Sequence, residues 1–324
     1  MARSRSSSRL TTGRRVSESR RRWLPYAALA TIALIWGASF LFIKVAVQDM
    51  SPTLLVVIRS ISGFIALAVL MVVLRRGLVT NARRRIVPFA VMALTAGVIP
   101  WLAIAWGEER ISSGLASILN ATTPLWAAIL VYWIIPSERP SPINYAGVLV
   151  GLAGVVILVL PSITSGGIRG DLIGAAAVLL ASMSYALSAL YQRRKLRNVN
   201  VFEANLGQLA FTALLVLPLA APSVPGTHFE PRSIAAVLAL GIAGSGIAGV
   251  LYYYVLNSLG PVRGSGVTLL VPVTAVFWGA TLLHEVVTLT ILVGMVVILA
   301  GIVLTNVGRR AASPDRSEPE KAAA

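Results

Sequence analysis

Runs of about 20 apolar residues, each bounded by proline, glycine or clustered charges, recur along the whole chain. Each run is long enough to cross a hydrocarbon core about 30 Å thick as an α-helix. The pattern predicts ten such helices, over residues 25–47, 52–74, 86–107, 111–135, 142–160, 171–192, 201–220, 232–256, 261–283 and 288–307. Pro52, Pro142 and Pro261 fall at or near helix starts, where a residue without an N–H is tolerated because the first turn leaves that donor unused anyway. The chain is therefore read as an all-α polytopic membrane protein.

Composition supports this class and removes others. The 324 residues are 56% hydrophobic and 12% charged, whereas a soluble domain is about 25% charged. The mean hydropathy is +0.81. With no cysteine, a disulfide framework, a thiolate metal site and a cysteine nucleophile are all excluded. His228 and His284 lie far apart in sequence, and no metal-binding spacing is present. No cofactor is implied.

A net charge of +16 suggests nucleic acid until the charges are located. Eight of the 28 basic residues lie in "MARSRSSSRLTTGRRVSESRRR", an Arg/Ser-rich stretch with little to bury. It is predicted to be a disordered cytoplasmic tail over 1–24, lying near anionic headgroups. Within it "SRRRWL" is similar to a twin-arginine export signal, but a full span and many more spans follow, which argues against cleavage. With the N-terminus inside, 23 Lys and Arg residues fall in cytoplasmic segments, against Arg110, Arg169 and Arg232 outside. That asymmetry is the one topology follows, so both termini are predicted cytoplasmic, with a second disordered tail over 308–324. Lys44 and Arg59 are the two cations inside predicted spans.

The second half of the chain repeats the first. Glu138, Gly147 and Gly154 have counterparts in Glu285, Gly294 and Gly301 at a constant offset of 147 residues. "SILNATTPLWAAIL" matches "GVTLLVPVTAVFWG", which pairs Pro124 with Pro272 and Asn120 with Thr268. "IWGASF" aligns more loosely with "ASMSYA". Two repeats, 25–160 and 171–307, thus hold five helices each. An odd number of crossings inverts the second copy in the membrane, and inverted repeats around a central site are a signature of secondary transporters.

These stretches, with "WGASFLFIK", "SPTLLVVIRSISGFIALAVL" and "SERPSPINYAGVLVGLAGVVIL", resemble the EamA branch of the drug/metabolite transporter superfamily. The resemblance spans roughly residues 25–307. It implies two five-helix bundles, a central cavity lined by helices 1, 3, 4, 6, 8 and 9, and export of small metabolites or drugs.

Candidate substrate-binding residues are the polar and aromatic groups on those helices: Trp36, Ser39, Lys44, Trp101, Asn120, Thr123, Tyr185, Tyr252, Tyr253 and Thr268. Lys44 lies about 5 Å from the outer end of helix 1, so it suits either the mouth of the cavity or snorkelling to the interface. The resemblance favours the pathway. Arg59 sits about 10 Å deep in helix 2, among apolar residues, and must face protein, water or a partner. A structural role is favoured, and the resemblance places helix 2 outside the main lining. Glu138 and Glu285 end helices 4 and 9, which suits capping, with paired gate carboxylates as the alternative. Pro124 and Pro272 should free backbone carbonyls and kink those helices. "GVLVGLAG" and "GMVVILAG" suit close helix contact, within the bundle or with a second copy of the chain.

The reading is a cytoplasmic-membrane exporter of small molecules that works by rocking two inverted bundles. Its partners are a small-molecule substrate and the lipid bilayer, with no nucleic acid. The acids all lie near the ends of spans, which favours facilitated or weakly coupled exchange over strict proton antiport. A channel or non-transporting scaffold is the alternative. An integral-membrane enzyme is disfavoured by the lack of clustered catalytic acids.

Overall fold

A computed structural model describes residues 8–74, 85–135, 141–164, 170–196, 199–227, 229–264 and 266–311. Among the described residues the backbone is helical apart from short connections. The helices are α1 (Ser8–Ala46), α2 (Pro52–Val73), α3 (Ile86–Glu108), α4 (Ser113–Ile134), α5 (Pro142–Thr164), α6 (Gly170–Lys195), α7 (Val201–Ala220), α8 (Pro231–Gly260), α9 (Val267–Leu282) and α10 (Leu289–Ala311). Among the described residues, nine helices are long and apolar enough to cross a membrane, and α9 is a shorter apolar helix. Glu138 and His228 lie outside the described residues.

The apolar span of α1 is Trp23–Ala46, but helical backbone continues back to Ser8, through residues where an unstructured tail is expected. Once a helix is nucleated, each further residue costs little, and arginine is a good helix former.

Helix pairing follows a two-fold pattern. α2 packs on α7 and α5 on α10, each helix against its own repeat mate. α1 packs on α8 and α9, while its counterpart α6 packs on α3 and α4. The fold is thus two inverted five-helix repeats. Glycine permits the closest approach. A methyl added at Gly301 of α10 would sit 2.5 Å from the Gly151 nitrogen of α5, so the small-residue stripes join these helices within one chain.

Two irregularities matter for the site. α3 widens by one turn over Leu94–Val98, and α8 widens over Leu240–Ile247. Adding the repeat offset of 148 to 94–98 gives 242–246, so both copies carry the same feature. In α3 the cause is legible: Pro100 has no N–H to offer the Ala96 carbonyl. α8 has Ala248 at the equivalent place, but "GIAGSGI" supplies glycines that tolerate the wider turn. α4 breaks at Ala121–Thr122, just before Pro124, whereas α9 runs through Pro272 as one helix. A kink at both prolines was expected, and the structure has a break at the first alone. α8 ends at Gly260, whose φ of 78° suits a residue without a Cβ.

Candidate functional site

A cavity of about 500 Å³ lies between the two repeats. It is walled by α1, α2, α3, α4, α6, α7, α8 and α9, while α5 and α10 stay outside it. This adds α2 and α7 to the expected lining. The expected residues Trp36, Ser39, Trp101, Asn120, Thr123, Tyr185, Tyr252 and Thr268 all lie on its wall, as do Arg59 and Pro124.

Helix irregularity makes the wall polar. The widened turns and Pro100 free backbone carbonyls, and side chains from neighbouring helices, three of the four from the opposite repeat, take them up. Gln208 of α7 donates its amide to the Ala96 carbonyl at 3.1 Å, and Ser184 of α6 donates to Thr95 at 2.8 Å. Trp36 of α1 donates its indole N–H to Gly244 at 3.2 Å, and Asn205 donates to the Ser245 carbonyl at 3.3 Å. Pro124 likewise frees the Asn120 carbonyl, which accepts from the Thr123 hydroxyl at 2.8 Å. Gln208, Asn205 and Ser245 were not singled out from sequence. Their signal was the run of small residues at 94–98 and 240–247, where a helix can open.

Arg59 is the one charged side chain lining the cavity among the described residues. It is 8% exposed. Its Nε donates to Ser245 Oγ at 3.0 Å, and its guanidinium carbon lies 3.9 Å from the Trp101 ring centroid. Tyr185, whose hydroxyl meets the Trp101 side chain, is next to it. Trp36 and Tyr252 form a second aromatic pair, with ring centroids 5.2 Å apart.

Lys44 and Tyr253 are off the cavity wall. Lys44 is half-buried and donates to the Ile111 carbonyl at 2.9 Å and to the Glu108 carbonyl. Its ammonium thus closes the C-terminal end of α3, where orphan carbonyls concentrate negative charge. Tyr253 faces the other way round α8, edge-on to Phe202 at 5.1 Å.

Glu285 caps the start of α4 from across the repeat boundary. It accepts from Ser113 N at 2.7 Å, Ser113 Oγ at 2.9 Å and Gly114 N at 3.2 Å. Its placement comes from the end of α9. His284 takes a left-handed φ of 54°, and Glu285 N reaches back to the Gly279 carbonyl at 3.1 Å, a helix-terminating arrangement usually given to glycine. Pro272 is buried within α9 and off the wall.

Glu108 lies at the end of α3, where the sequence puts its acids, but it is 0% exposed, and neither carboxylate oxygen has a hydrogen-bond partner among the described residues. Lys44, Glu285 and Arg59 are the charges around it. Its place in "WGEERISS" gave no warning, because an acid next to Glu109 and Arg110 looks like part of a solvated turn.

The cavity runs from Ile43, Ile104 and Ser117 to Gln192 and Val201. The last two are exposed, so the cavity reaches the surface at the end of the bundle that carries Arg85 and Glu203. Toward the Lys44 end it stops short of the buried residues Glu108, Ile111 and Ser113.

A cavity between inverted repeats, walled by broken helices and their freed carbonyls, is the architecture of a membrane transporter. Comparison with known proteins gives the family. Residues 23–160 and 172–307 both match the EamA-like transporter family, and the chain belongs to it. It is 24% identical over 283 residues to the uncharacterized transporter YoaV of Bacillus subtilis, covering 86% of this chain and 95% of that one. Similarity to YedA of Escherichia coli K12, named an uncharacterized inner membrane transporter, is 26% over 304 residues, covering 89% and 93%. A solved crystal structure superposes with a TM-score of 0.64 at 19% identity, covering 89% of this chain and 99% of the other, which shows the shared fold. The protein is a multi-pass membrane transporter, with a small-molecule substrate and a lipid bilayer as its partners.

Proposed function

We propose that this chain is a secondary transporter of the cytoplasmic membrane that exports small polar or amphipathic metabolites by alternating access. The observation that carries this reading is the cavity between inverted repeats, which reaches the surface at one end and is stopped at the other by the Glu285 cap and the Lys44 contacts. The excess of positive charge supports a cytoplasmic Arg85 end, and on that reading the open end of the cavity faces inward, ready to load from inside. Rocking the bundles would release the Lys44 end and close the Arg85 end.

Reconstitution into proteoliposomes with a panel of labelled metabolites tests this. Saturable counterflow supports a carrier, non-saturating flux supports a channel, and no flux supports a scaffold. Because the chain has no cysteine, single cysteines report topology directly. An impermeant maleimide should label Gln48→Cys in intact cells, and Lys195→Cys after permeabilisation alone. The reverse would overturn the orientation.

Glu108 favours a second reading, in which export is coupled to proton entry. A fully buried carboxylate without a hydrogen-bond partner is costly unless it exchanges a proton or an ion. Transport driven by a pH gradient in the wild type and lost in Glu108→Gln, with counterflow retained, would establish coupling. Equal rates with and without the gradient would leave uncoupled exchange.

A further inference from the structure

We propose that Arg59 is the anchor for the acid group of the substrate, so that the cargo is an amphipathic organic anion with a single carboxylate and a flat or apolar body. This rests on the transport reading and names the substrate class of the same cavity.

A guanidinium removed from water needs a partner, and the usual partner is a carboxylate. Arg59 lacks one. No ion pair joins it to an acid among the described residues, where the two ion pairs are Arg85–Glu203 and Arg110–Glu109. Of its five N–H groups, the one on Nε is used by Ser245. The two terminal nitrogens, which carry the other four, make no hydrogen bond to any described residue. Trp101 covers the face of the group, which leaves the planar edge, the side that binds a carboxylate through two parallel hydrogen bonds. That residue lies on the wall of a cavity whose lining has no acid among the described residues. Glu108 is a charged neighbour of Arg59 but is not part of the lining. A cation entering the cavity would meet the Arg59 charge and find no acid on the wall, whereas an anion completes it.

The rest of the wall describes the rest of the molecule. Trp36 and Tyr252 on one side and Trp101 and Tyr185 on another offer aromatic faces for a flat or apolar body. Asn120 Oδ1 and Ser117 Oγ are buried on the wall without a hydrogen-bond partner among the described residues. They suit a hydroxyl or N–H on that body. A volume of about 500 Å³ holds one such molecule.

The test uses matched probes that differ in the head group alone: 3-phenyllactate, 3-phenyllactamide and 2-hydroxy-3-phenylpropylammonium, with the corresponding set built on a branched aliphatic chain. Binding to the full-length purified protein is read by tryptophan fluorescence, since Trp36 and Trp101 line the cavity, and by counterflow in proteoliposomes. The acid should bind about ten- to a hundred-fold tighter than its amide, as expected for hydrogen bonds to a charged group, and the ammonium should be weakest. Arg59→Gln should abolish the preference for the acid, and Arg59→Lys should keep part of it. Should Arg59→Gln fail to fold, the wild-type comparison decides alone. Amide or ammonium binding as tightly as the acid in the wild type overturns the anion assignment and leaves transport standing. No binding or flux from any probe, nor from the wider metabolite panel, overturns both.

Discussion

The two ends of the bundle are held by different chemistry. At the Lys44 end, hydrogen bonds across the repeats are numerous, and two of them satisfy backbone N–H groups at the start of α4. Glu285 caps α4 through three hydrogen bonds, Ser51 meets Ser223 at 2.8 Å, and Asp49 accepts from Ser233. At the Arg85 end, the polar links across the repeats among the described residues of the cavity-walling helices are the Arg85–Glu203 ion pair, with its arginine partly exposed, and an exposed Arg194 bond to the Ile134 carbonyl at 3.2 Å. A partly exposed pair contributes little, because water competes for both charges. Carboxylate hydrogen bonds to buried helix-start N–H groups are worth more, because those donors have no other partner. The cavity is closed where the contacts are strong and reaches the surface where they are weak. On the alternating-access reading proposed above, the state of the protein is a difference between two sets of contacts, and a modest change at either end should shift it.

The largest expected effect on this balance is Glu285→Ala. Loss of three hydrogen bonds should destabilise the fold by about 3 kcal/mol and loosen the Lys44 end. An Ile104→Cys reporter, which lines the cavity, should then react with maleimide from the Lys44 side. Unchanged reactivity would show that the cap does not hold that end shut. Gly301→Ala is the control for stability without bias. Its methyl meets the α5 backbone, so thermal unfolding should shift by about 2 kcal/mol while the reporter stays silent. Lys44→Ala should cost about 1.5 kcal/mol by leaving two carbonyls without a donor. Because Lys44 is off the cavity wall, substrate affinity in counterflow should stay within about two-fold of wild type, a change of under 1 kcal/mol. A large loss of affinity would return Lys44 to the pathway. His284→Gly should act in the opposite direction, raising stability by about 1 kcal/mol by relieving the left-handed backbone. Arg85→Ala should change the melting free energy by about 0.5 kcal/mol, the smallest effect of the set. A cost as great as that of Glu285→Ala would erase the distinction between the two ends.

Much of the architecture is legible in the residues themselves. Hydrophobic runs of membrane-spanning length locate the helices, because an unpaired backbone group in hydrocarbon is too costly for any other form. The 147-residue offset reveals the inverted repeat, and most of the polar residues chosen on the central helices do face the cavity. What the residues did not reveal is how three charges are placed. Arg59 reads as structural because its surroundings in the chain are apolar, yet the groups that open it to the cavity, Ser245 and Trp101, come from other helices. Glu108 reads as part of a polar turn, yet the packing of α1, α2, α4 and α6 on the end of α3 leaves it no exposed surface. Lys44 reads as a pathway residue, yet it spends its donors on the carbonyls at the end of α3.

Spans, duplication and charge asymmetry follow from local composition, because transfer of each residue into lipid is nearly additive along the chain. The surroundings of Arg59, Glu108 and Glu285 were decided by tertiary structure alone. Each depends on which groups from distant helices meet it, and hydrogen bonds and charge interactions act over distances that sequence separation does not measure.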